Sequence, residues 1–252
     1  MATQGPEIRF EGVTRRHGEQ VAVDGVTKTI ASGSFVALVG GSGAGKTTLL
    51  RMVNRLVPPD EGRVTIAGRD VAEGAAPALR RQIGYVFQDV GLMPHMTVAE
   101  NVALPARVAG AVAPDVAALL AMVELPAGYA DRAPAALSGG ERQRVGVARA
   151  LATGAKAMLL DEPFGALDPV TRDALARRYR ALHDRLGLTS LMVTHDMAEA
   201  LLLADRILVM AAGRIVADAT PADMLAGRAG AEADALVEVP ARQARAIAAL
   251  RG

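Results

Sequence analysis

The chain has 252 residues, 51% hydrophobic but only 3% aromatic, so we expect a core built mainly from aliphatic side chains. Its 28 basic and 27 acidic residues leave a net charge of +1, which argues against a basic nucleic-acid-binding domain. With no cysteine, no export signal and no apolar run near the roughly 20 residues of a membrane span, we expect a soluble protein in a reducing compartment, peripheral if it acts at a membrane.

The first third of the chain has the pattern of short strands split by Gly and Asp. Runs of this kind predict strands at residues 8–10, 21–23, 35–39, 63–68 and 83–87. From Thr97 to Leu151 the composition becomes Ala-rich and typical of helices, with prolines at 105, 114, 126 and 134. This stretch predicts a separate helical subdomain.

The last third alternates between strands and helices. It predicts strands at 157–160, 190–193 and 207–210, separated by helices at 170–186 and 196–203. Thr220 has the features of an N-cap because Pro221 and Asp223 follow it. We expect residues 229–252 to form a solvated helix or a frayed tail. This alternation predicts a mainly parallel sheet covered on both faces.

A glycine-rich segment follows the strand at 35–39. It matches G-x-x-x-x-G-K-[ST] with Gly40, Gly45, Lys46 and Thr47 in register, and a helical pattern (Leu49, Leu50, Val53 and Leu56) comes after it. Such a loop aims backbone N–H groups and a helix N-terminus at phosphate oxygens, while the lysine reaches the outer phosphates. We therefore expect nucleoside triphosphate binding by Gly40, Gly41, Ser42, Gly43, Ala44, Gly45, Lys46, Thr47 and Thr48.

Polar residues stand at the ends of three further predicted strands. Gln88 ends one, Asp161-Glu162 another and Thr194-His195-Asp196 the third. Strand ends often meet water, so polar residues at the end of one strand would not by themselves indicate a site. Polar or phosphate-binding residues follow four strands in all, counting the phosphate loop. This number favours a shared site, because ligands bind at the carboxyl ends of parallel strands.

The chemistry of these side chains suggests roles for them. Thr47, Asp161 and Gln88 are suited to holding Mg²⁺, Asp161 through a water molecule. Glu162 can orient or deprotonate the water that attacks the γ-phosphate. His195 could reach the γ-phosphate or hold Glu162 in place, and Gln88 could also touch the attacking water.

Residues 137–144 read LSGGERQR, followed by LLDEP at 159–163 and GALD at 165–168. With the phosphate loop, Gln88 and His195, these motifs resemble an ATP-binding-cassette (ABC) ATPase subunit over nearly the whole chain. The resemblance implies an α/β P-loop NTPase (RecA-like) fold with a mainly parallel sheet, an N-terminal antiparallel β region and an inserted helical subdomain. It implies a nucleotide-binding core at 1–90 and 155–228, a helical subdomain at 91–154 and a C-terminal helix or tail at 229–252, in one ABC domain spanning 1–252.

The family resemblance also implies a partner for the site. Ser138, Gly139 and Gly140 would grip the γ-phosphate of ATP bound to the other subunit of a head-to-tail dimer, and Asp168 would make contacts across that interface. Locally, Ser138 and Glu141 form a capping-box pattern, and both interpretations can hold together. One departure concerns adenine. The family usually stacks an aromatic residue on the base, whereas His17 stands at that position and offers less stacking surface.

Residues 52–56 and 91–98 are similar to ATPases of bacterial importers for quaternary amines such as glycine betaine and choline. The second segment lies where the family docks its transmembrane permease subunits, although it could be an ordinary proline-containing loop. Longer members append a regulatory domain pair, which we expect to be absent because the sequence ends at Gly252. The resemblance implies a peripheral subunit at the cytoplasmic face of the cell membrane, working indirectly with a substrate-binding protein.

Several alternatives remain at this stage. The solute could be an amino acid, a polyamine or another small molecule. A soluble ABC ATPase acting on DNA or ribosomes usually has long insertions or two cassettes, which 252 residues do not accommodate. A nucleotide kinase would lack LSGGERQR, and a pure binding protein would be expected to lack Glu162.

Overall fold

The computed structural model describes residues 4–249 except Asp89 and Ala166, and within 239–248 only the side chains of residues 242 and 246. Ten strands are found in that part of the chain: β1 (Ile8–His17), β2 (Gln20–Ile30), β3 (Phe35–Val39), β4 (Glu61–Ile66), β5 (Arg69–Asp70), β6 (Ile83–Val86), β7 (Ala157–Asp161), β8 (Thr189–Val193), β9 (Arg206–Ala211) and β10 (Arg214–Ala219). The helices of the same residues are α1 (Lys46–Val53), α2 (Ala76–Arg80), α3 (Val98–Ala109), α4 (Val116–Met122), α5 (Gly139–Leu151), α6 (Pro169–Leu186), α7 (Met197–Leu203), α8 (Pro221–Leu225) and α9 (Ala231–Ala249), with 3-10 turns at Ala127–Tyr129 and Pro134–Ala136.

The larger sheet has the strand order β10-β9-β3-β8-β7-β6. Its strands from β9 to β6 run parallel, and β10 pairs antiparallel with β9 at the edge. Every residue of β3 is buried, and successive residues point into different cores: Phe35 and Ala37 into one, Val36 and Leu38 into the other. This alternation means that both faces of the sheet are covered, which confirms the predicted fold class.

The smaller sheet is antiparallel, with the order β2-β1-β4-β5. Strands β1 and β2 continue well beyond the predicted runs at 8–10 and 21–23. Gly12 and Gly25, both at φ 59°, interrupt the sequence pattern there, and the pairing of β1 with β2 shifts register along its length. Bulges of this kind bend a strand without ending it. The short β5 and the edge strand β10 were not predicted.

Two predicted helical features need correction. Helix α1 ends at Val53, and Arg55 adopts φ 56°, so Leu56 lies outside the helix with 41% of its surface exposed. The C-terminal segment is helical, but Ala233 and Val237 are buried in the core, so its first half is packed rather than solvated.

The other helices agree with their sequence signals. The predicted helices at 170–186 and 196–203 correspond to α6 and α7, and the Thr220 hydroxyl accepts a hydrogen bond from the Asp223 amide at 3.1 Å as the N-cap of α8. The subdomain boundaries at 90, 154 and 228 stay predictions. Across the described residues, we find no helix of the length and apolar character that crossing a bilayer requires.

Candidate nucleotide-binding site

The loop between β3 and α1 has a backbone that only glycine can adopt at its two ends. Gly40 has φ 145° and Gly45 has φ 97°. A Cβ atom on Gly40 would lie 2.1 Å from the carbonyl oxygen of Met210, and one on Gly45 would lie 2.0 Å from that of Ala22. Any larger residue would therefore displace the loop from β9 and β2. The loop is thus held close to both sheets, ahead of the N-terminus of α1.

Lys46 begins α1 and folds back over this loop. Its Nζ donates to the carbonyl oxygens of Gly40 and Gly41 at 2.8 and 2.7 Å. Burial lowers the pKa of the Lys46 ammonium, while the carboxylates of Glu162 and Asp161 oppose that shift. The ammonium therefore lies in front of the loop, where it can meet an incoming phosphate.

Asp161, at the end of β7, is fully buried and has a separate environment for each oxygen. The Thr47 hydroxyl donates to Oδ1 at 3.1 Å, whereas Tyr85 Oη and Arg51 Nη2 lie 3.2 and 3.3 Å from Oδ2. Burial, and next the Asp161 charge, raise the pKa of Tyr85 to about 12, so its hydroxyl remains a donor. Hydroxyl and carboxylate oxygens are ligands that Mg²⁺ prefers, so Thr47 and Asp161 fit that ion.

Glu162 adopts φ 48°, a left-handed conformation that is uncommon outside glycine. Its amide donates to the Val193 carbonyl at 2.9 Å, and its own carbonyl accepts from the buried Gln143 at 3.4 Å. These contacts tie the strained residue to its neighbours. Its Oε2 lies 3.2 Å from Gln88 Nε2 and 3.3 Å from His195 Nδ1.

The four strand exits therefore meet at one edge of the sheet. Strands β3, β8, β7 and β6 are consecutive neighbours, and their carboxyl ends deliver the phosphate loop, His195, Asp161 with Glu162, and Gln88. Sequence reasoning missed Arg51, Tyr85 and Gln143 as neighbours of the acid pair. Each belongs to an ordinary helix or strand pattern, so no local signal distinguishes it.

His17 is the last residue of β1 and lies beside the phosphate loop. It lines a cavity of about 240 Å³ together with Gln20, Ala22 and loop residues 43–48. A contact between His17 and adenine stays a prediction. The His17 ring is exposed and would be accessible to a base.

Ser138 and Asp168 lie on the surface and act locally as helix caps. Ser138 caps α5, with Oγ accepting from the Glu141 amide at 3.2 Å and Glu141 Oε2 accepting from the Ser138 amide at 2.7 Å. Asp168 caps α6 by accepting from the amides of Val170 and Thr171 at 3.1 and 3.0 Å. Among the described residues, no hydrogen bond joins residues 138–140 or Asp168 to the phosphate loop of the same chain.

The chain is similar in sequence and fold to known proteins. A carnitine transport ATP-binding protein, OpuCA of Listeria monocytogenes, is 46% identical over 86% of this chain and 56% of its own length. A sulfate/thiosulfate import ATP-binding protein, CysA 2 of Chromobacterium violaceum, is 48% identical over 86% of this chain and 59% of its own. A dimeric structure of MJ0796, a bacterial ABC transporter cassette, matches with a TM-score of 0.78 and 34% identity over 85% of this chain and 98% of that one.

The chain therefore spans little more than half the length of these two curated relatives. The ABC transporter family model matches residues 23–165, which include the phosphate loop, Gln88, the LSGGERQR segment and the acid pair. On this match and on the identity with the two transport proteins, the chain belongs to the ABC transporter family.

Proposed function

We propose that the chain is the Mg²⁺-dependent ATP-hydrolysing subunit of an ABC importer, working as a head-to-tail pair of cassettes. The observation that carries this proposal is the convergence of Gln88 and His195 on Glu162 Oε2, next to the Thr47–Asp161 pair. A structural phosphate-binding protein would need the loop but not this arrangement around a carboxylate.

In this proposal each group of residues has a role that follows from its chemistry. The amides of residues 40–48 and the Lys46 ammonium bind the phosphates. Thr47, Asp161 and Gln88 hold Mg²⁺, which when bound neutralises charge on the phosphate oxygens. Glu162 accepts a hydrogen bond from the attacking water and orients it, while His195 keeps the carboxylate in position. Tyr85 and Arg51 occupy Oδ2 of Asp161, which leaves Oδ1 facing Thr47.

The head-to-tail pairing is supported by the surface position of the LSGGERQR segment. Ser138 and Gly139 are exposed at the N-terminus of the 13-residue helix α5, which favours an anion. Each chain would thus supply its phosphate loop to one ATP and residues 138–140 to the other, with Asp168 near the contact. The similar MJ0796 cassette is dimeric.

The direct test of this proposal is phosphate release by the purified chain with ATP, with and without Mg²⁺. We expect turnover that requires Mg²⁺ and rises more than linearly with protein concentration, because two chains build each site. Affinity purification from membranes should also recover a polytopic membrane protein. Absence of both turnover and such a partner would reject the proposal.

A prediction concerns the adenine. Because His17 offers less stacking surface than tyrosine, His17→Tyr should tighten ATP binding by about tenfold, within the roughly 1–3 kcal/mol that base–aromatic stacking contributes. Equilibrium titration with ATP and with GTP measures both affinity and base selection. His17→Ala is the matched control and should weaken binding. Unchanged affinity in both variants would mean that adenine is held elsewhere.

The proposed docking surface for the permease is an apolar groove of about 650 Å³. Phe87, Met93 and Val108 line it and are 39%, 37% and 65% exposed. A connected apolar surface of this kind is typical of a protein interaction site. The groove adjoins Gln88, so a bound permease segment would lie close to the nucleotide site.

The loop that forms one wall of the groove is ordered by Asn101. This fully buried side chain accepts from the Met93 amide at 2.7 Å, and its Nδ2, with two hydrogens to share, lies 3.1, 3.2 and 2.9 Å from the carbonyl oxygens of Met93, Met96 and Thr97. Met93 is thereby presented to the groove. Met96 is partly buried and is not among the residues that line the groove, so Met93 is the better target for mutation.

A charge in the apolar groove should interfere with transport. Met93→Glu places a charge in the apolar groove and should reduce solute uptake by about tenfold or more, since burying an unpaired carboxylate at an interface is costly. Basal ATP hydrolysis by the isolated chain should stay at the wild-type rate. Val112→Glu is the control, because Val112 is 91% exposed and lies outside the groove. Normal uptake in Met93→Glu would argue against this docking site.

For the solute, we propose a quaternary amine or a similar osmolyte. A substrate-binding protein would deliver it to the permease, and this subunit would bind the permease at the cytoplasmic face of the membrane. The carnitine-transport relative and the segments at 52–56 and 91–98 support this class. The sulfate/thiosulfate relative is equally similar, so an inorganic anion is the alternative. Uptake of labelled glycine betaine, choline, carnitine and sulfate by a strain lacking the gene separates them. Loss of sulfate uptake alone would overturn the osmolyte assignment.

A further inference from the structure

The side chain of Arg172, in the first turn of α6, joins two segments that are distant in sequence. Its Nη2 donates to the Leu167 carbonyl at 3.0 Å, and its Nη1 donates to Asp196 Oδ2 at 3.3 Å. Its Nε lies 3.7 Å from Glu199 Oε1, close enough for an ion pair but too far for a hydrogen bond. A single guanidinium therefore bridges the start of α6 and the start of α7.

On the α6 side, the bridge reaches the LSGGERQR segment through Leu167. The Leu167 side chain is 5% exposed, and a Cβ atom added to Gly140 would lie 2.9 Å from its Cδ2. Gly140 and Leu167 are thus in direct contact. A displacement of residues 138–140 would press on Leu167, whose carbonyl Arg172 holds.

On the α7 side, the bridge reaches the catalytic centre through Asp196, the neighbour of His195. Asp196 accepts from the amides of Ala198 and Glu199 at 2.8 and 3.3 Å, and its own amide donates to Thr194 Oγ1 at 3.0 Å. His195 is therefore held between two anchored residues. Its Nδ1 lies 3.3 Å from Glu162 Oε2.

The bridge also has an unused donor. Among the residues that the structure describes, Arg172 Nε is buried without a hydrogen-bond partner. Buried donors are rarely left in this state, because an unmade hydrogen bond costs free energy. A shift of a few tenths of an ångström between α6 and α7 would bring Glu199 Oε1 within hydrogen-bond range of Arg172 Nε. The contact between them can therefore shorten without any rearrangement of the two helices.

We propose that Arg172 is a positioning residue that fixes His195 through Asp196 and, through Leu167, makes this placement depend on the LSGGERQR segment. The inference rests on the proposed function, because it needs residues 138–140 to meet the nucleotide of the partner subunit. When the partner closes on residues 138–140, His195 and Glu162 of the same chain are set for hydrolysis. ATP in one site thereby controls turnover in the other.

Arg172→Gln tests this proposal because it removes the charge and the forked donors while keeping a polar side chain. We expect kcat to fall about tenfold with KM for MgATP nearly unchanged, since the interaction acts on hydrolysis and not on nucleotide binding. Cooperativity between the two sites should also weaken, with the Hill coefficient falling toward that of independent sites. Arg177→Gln is the control on the same helix, where Arg177 is 76% exposed and, among the described residues, pairs only with Asp173.

Asp196→Asn changes the other partner of the Arg172–Asp196 contact. It provides the test if the Arg172→Gln variant does not fold. Asparagine still caps α7 but loses the charge that faces Arg172. We expect the same loss in kcat, and a double variant no slower than the slower single one, because both changes break one contact. A merely structural role would instead lower the melting temperature without this split between kcat and KM.

The outcomes distinguish this inference from the proposed function. A wild-type chain that does not hydrolyse ATP rejects both. A wild-type chain that hydrolyses ATP, together with Arg172→Gln and Asp196→Asn variants at the wild-type kcat and Hill coefficient, rejects the role of Arg172 alone. Effects of the two substitutions that simply multiply would also reject it, since the residues would then act separately.

Discussion

Replacing Lys46 by alanine is expected to reduce ATP hydrolysis by roughly 10²- to 10³-fold, the scale on which loss of one preorganised charged or hydrogen-bonding group acts on a transition state. The Lys46 ammonium lies over the carbonyls of Gly40 and Gly41 and has few alternative positions because the residue is only 9% exposed. No other lysine in the chain (Lys28 or Lys156) belongs to the phosphate loop, so a neighbouring lysine cannot replace it.

The measurement is steady-state phosphate release, with equilibrium ATP binding measured alongside it. Lys156→Ala is the matched control, because its ammonium donates to the Leu186 carbonyl at 2.6 Å in a different part of the fold. We expect that variant to hydrolyse ATP at close to the wild-type rate. If Lys46→Ala retained full activity with unaltered stability, the assignment of the phosphate site would be wrong.

Replacing Glu162 by glutamine should trap a dimer with ATP bound. The substitution removes the negative charge and basicity of the side chain but preserves its size and an oxygen that can accept from Gln88. ATP should still bind to residues 40–48, and residues 138–140 of the partner should still close on the γ-phosphate. Hydrolysis normally releases this clamp by removing the group that both chains hold, so a chain unable to hydrolyse stays paired.

The interface half of the site can be blocked separately. Ser138 is exposed at the start of α5, so Ser138→Arg places a bulky cation on the surface without filling a core position. In the Glu162→Gln background it should prevent the trapped dimer while leaving nucleotide binding to the phosphate loop intact. Loss of the Ser138 cap itself is expected to cost about 1 kcal/mol, which is too little to unfold a typical domain.

Much of the site could be predicted because its strands carry strong local signals. The buried runs before Gly40, Asp161 and Thr194 are continuous and mainly apolar, and parallel strands bring their carboxyl ends to one edge. The phosphate loop adds a motif whose glycines are required by their backbone angles, as the close approach of Gly40 to Met210 illustrates.

The residues that were missed depend on tertiary contacts instead. Arg51 and Tyr85 point at Asp161 from α1 and β6, and Arg172 joins α6 to α7, yet each belongs to an ordinary amphipathic or alternating pattern. The left-handed backbone of Glu162 has no sequence signal, since glutamate rarely adopts it. The full lengths of β1 and β2 were hidden by Gly12 and Gly25, where the strands bend but continue.

The measurement that tests the central claim most directly is the molar mass of Glu162→Gln in solution, by size-exclusion chromatography with light scattering, with and without saturating MgATP. We predict the mass of two chains with MgATP, of one chain without it, and of one chain for Glu162→Gln with Ser138→Arg under both conditions. Wild-type protein should return to the monomer mass as its ATP is consumed. A Glu162→Gln protein that stays monomeric with saturating MgATP, or that hydrolyses ATP at the wild-type rate, would contradict the account.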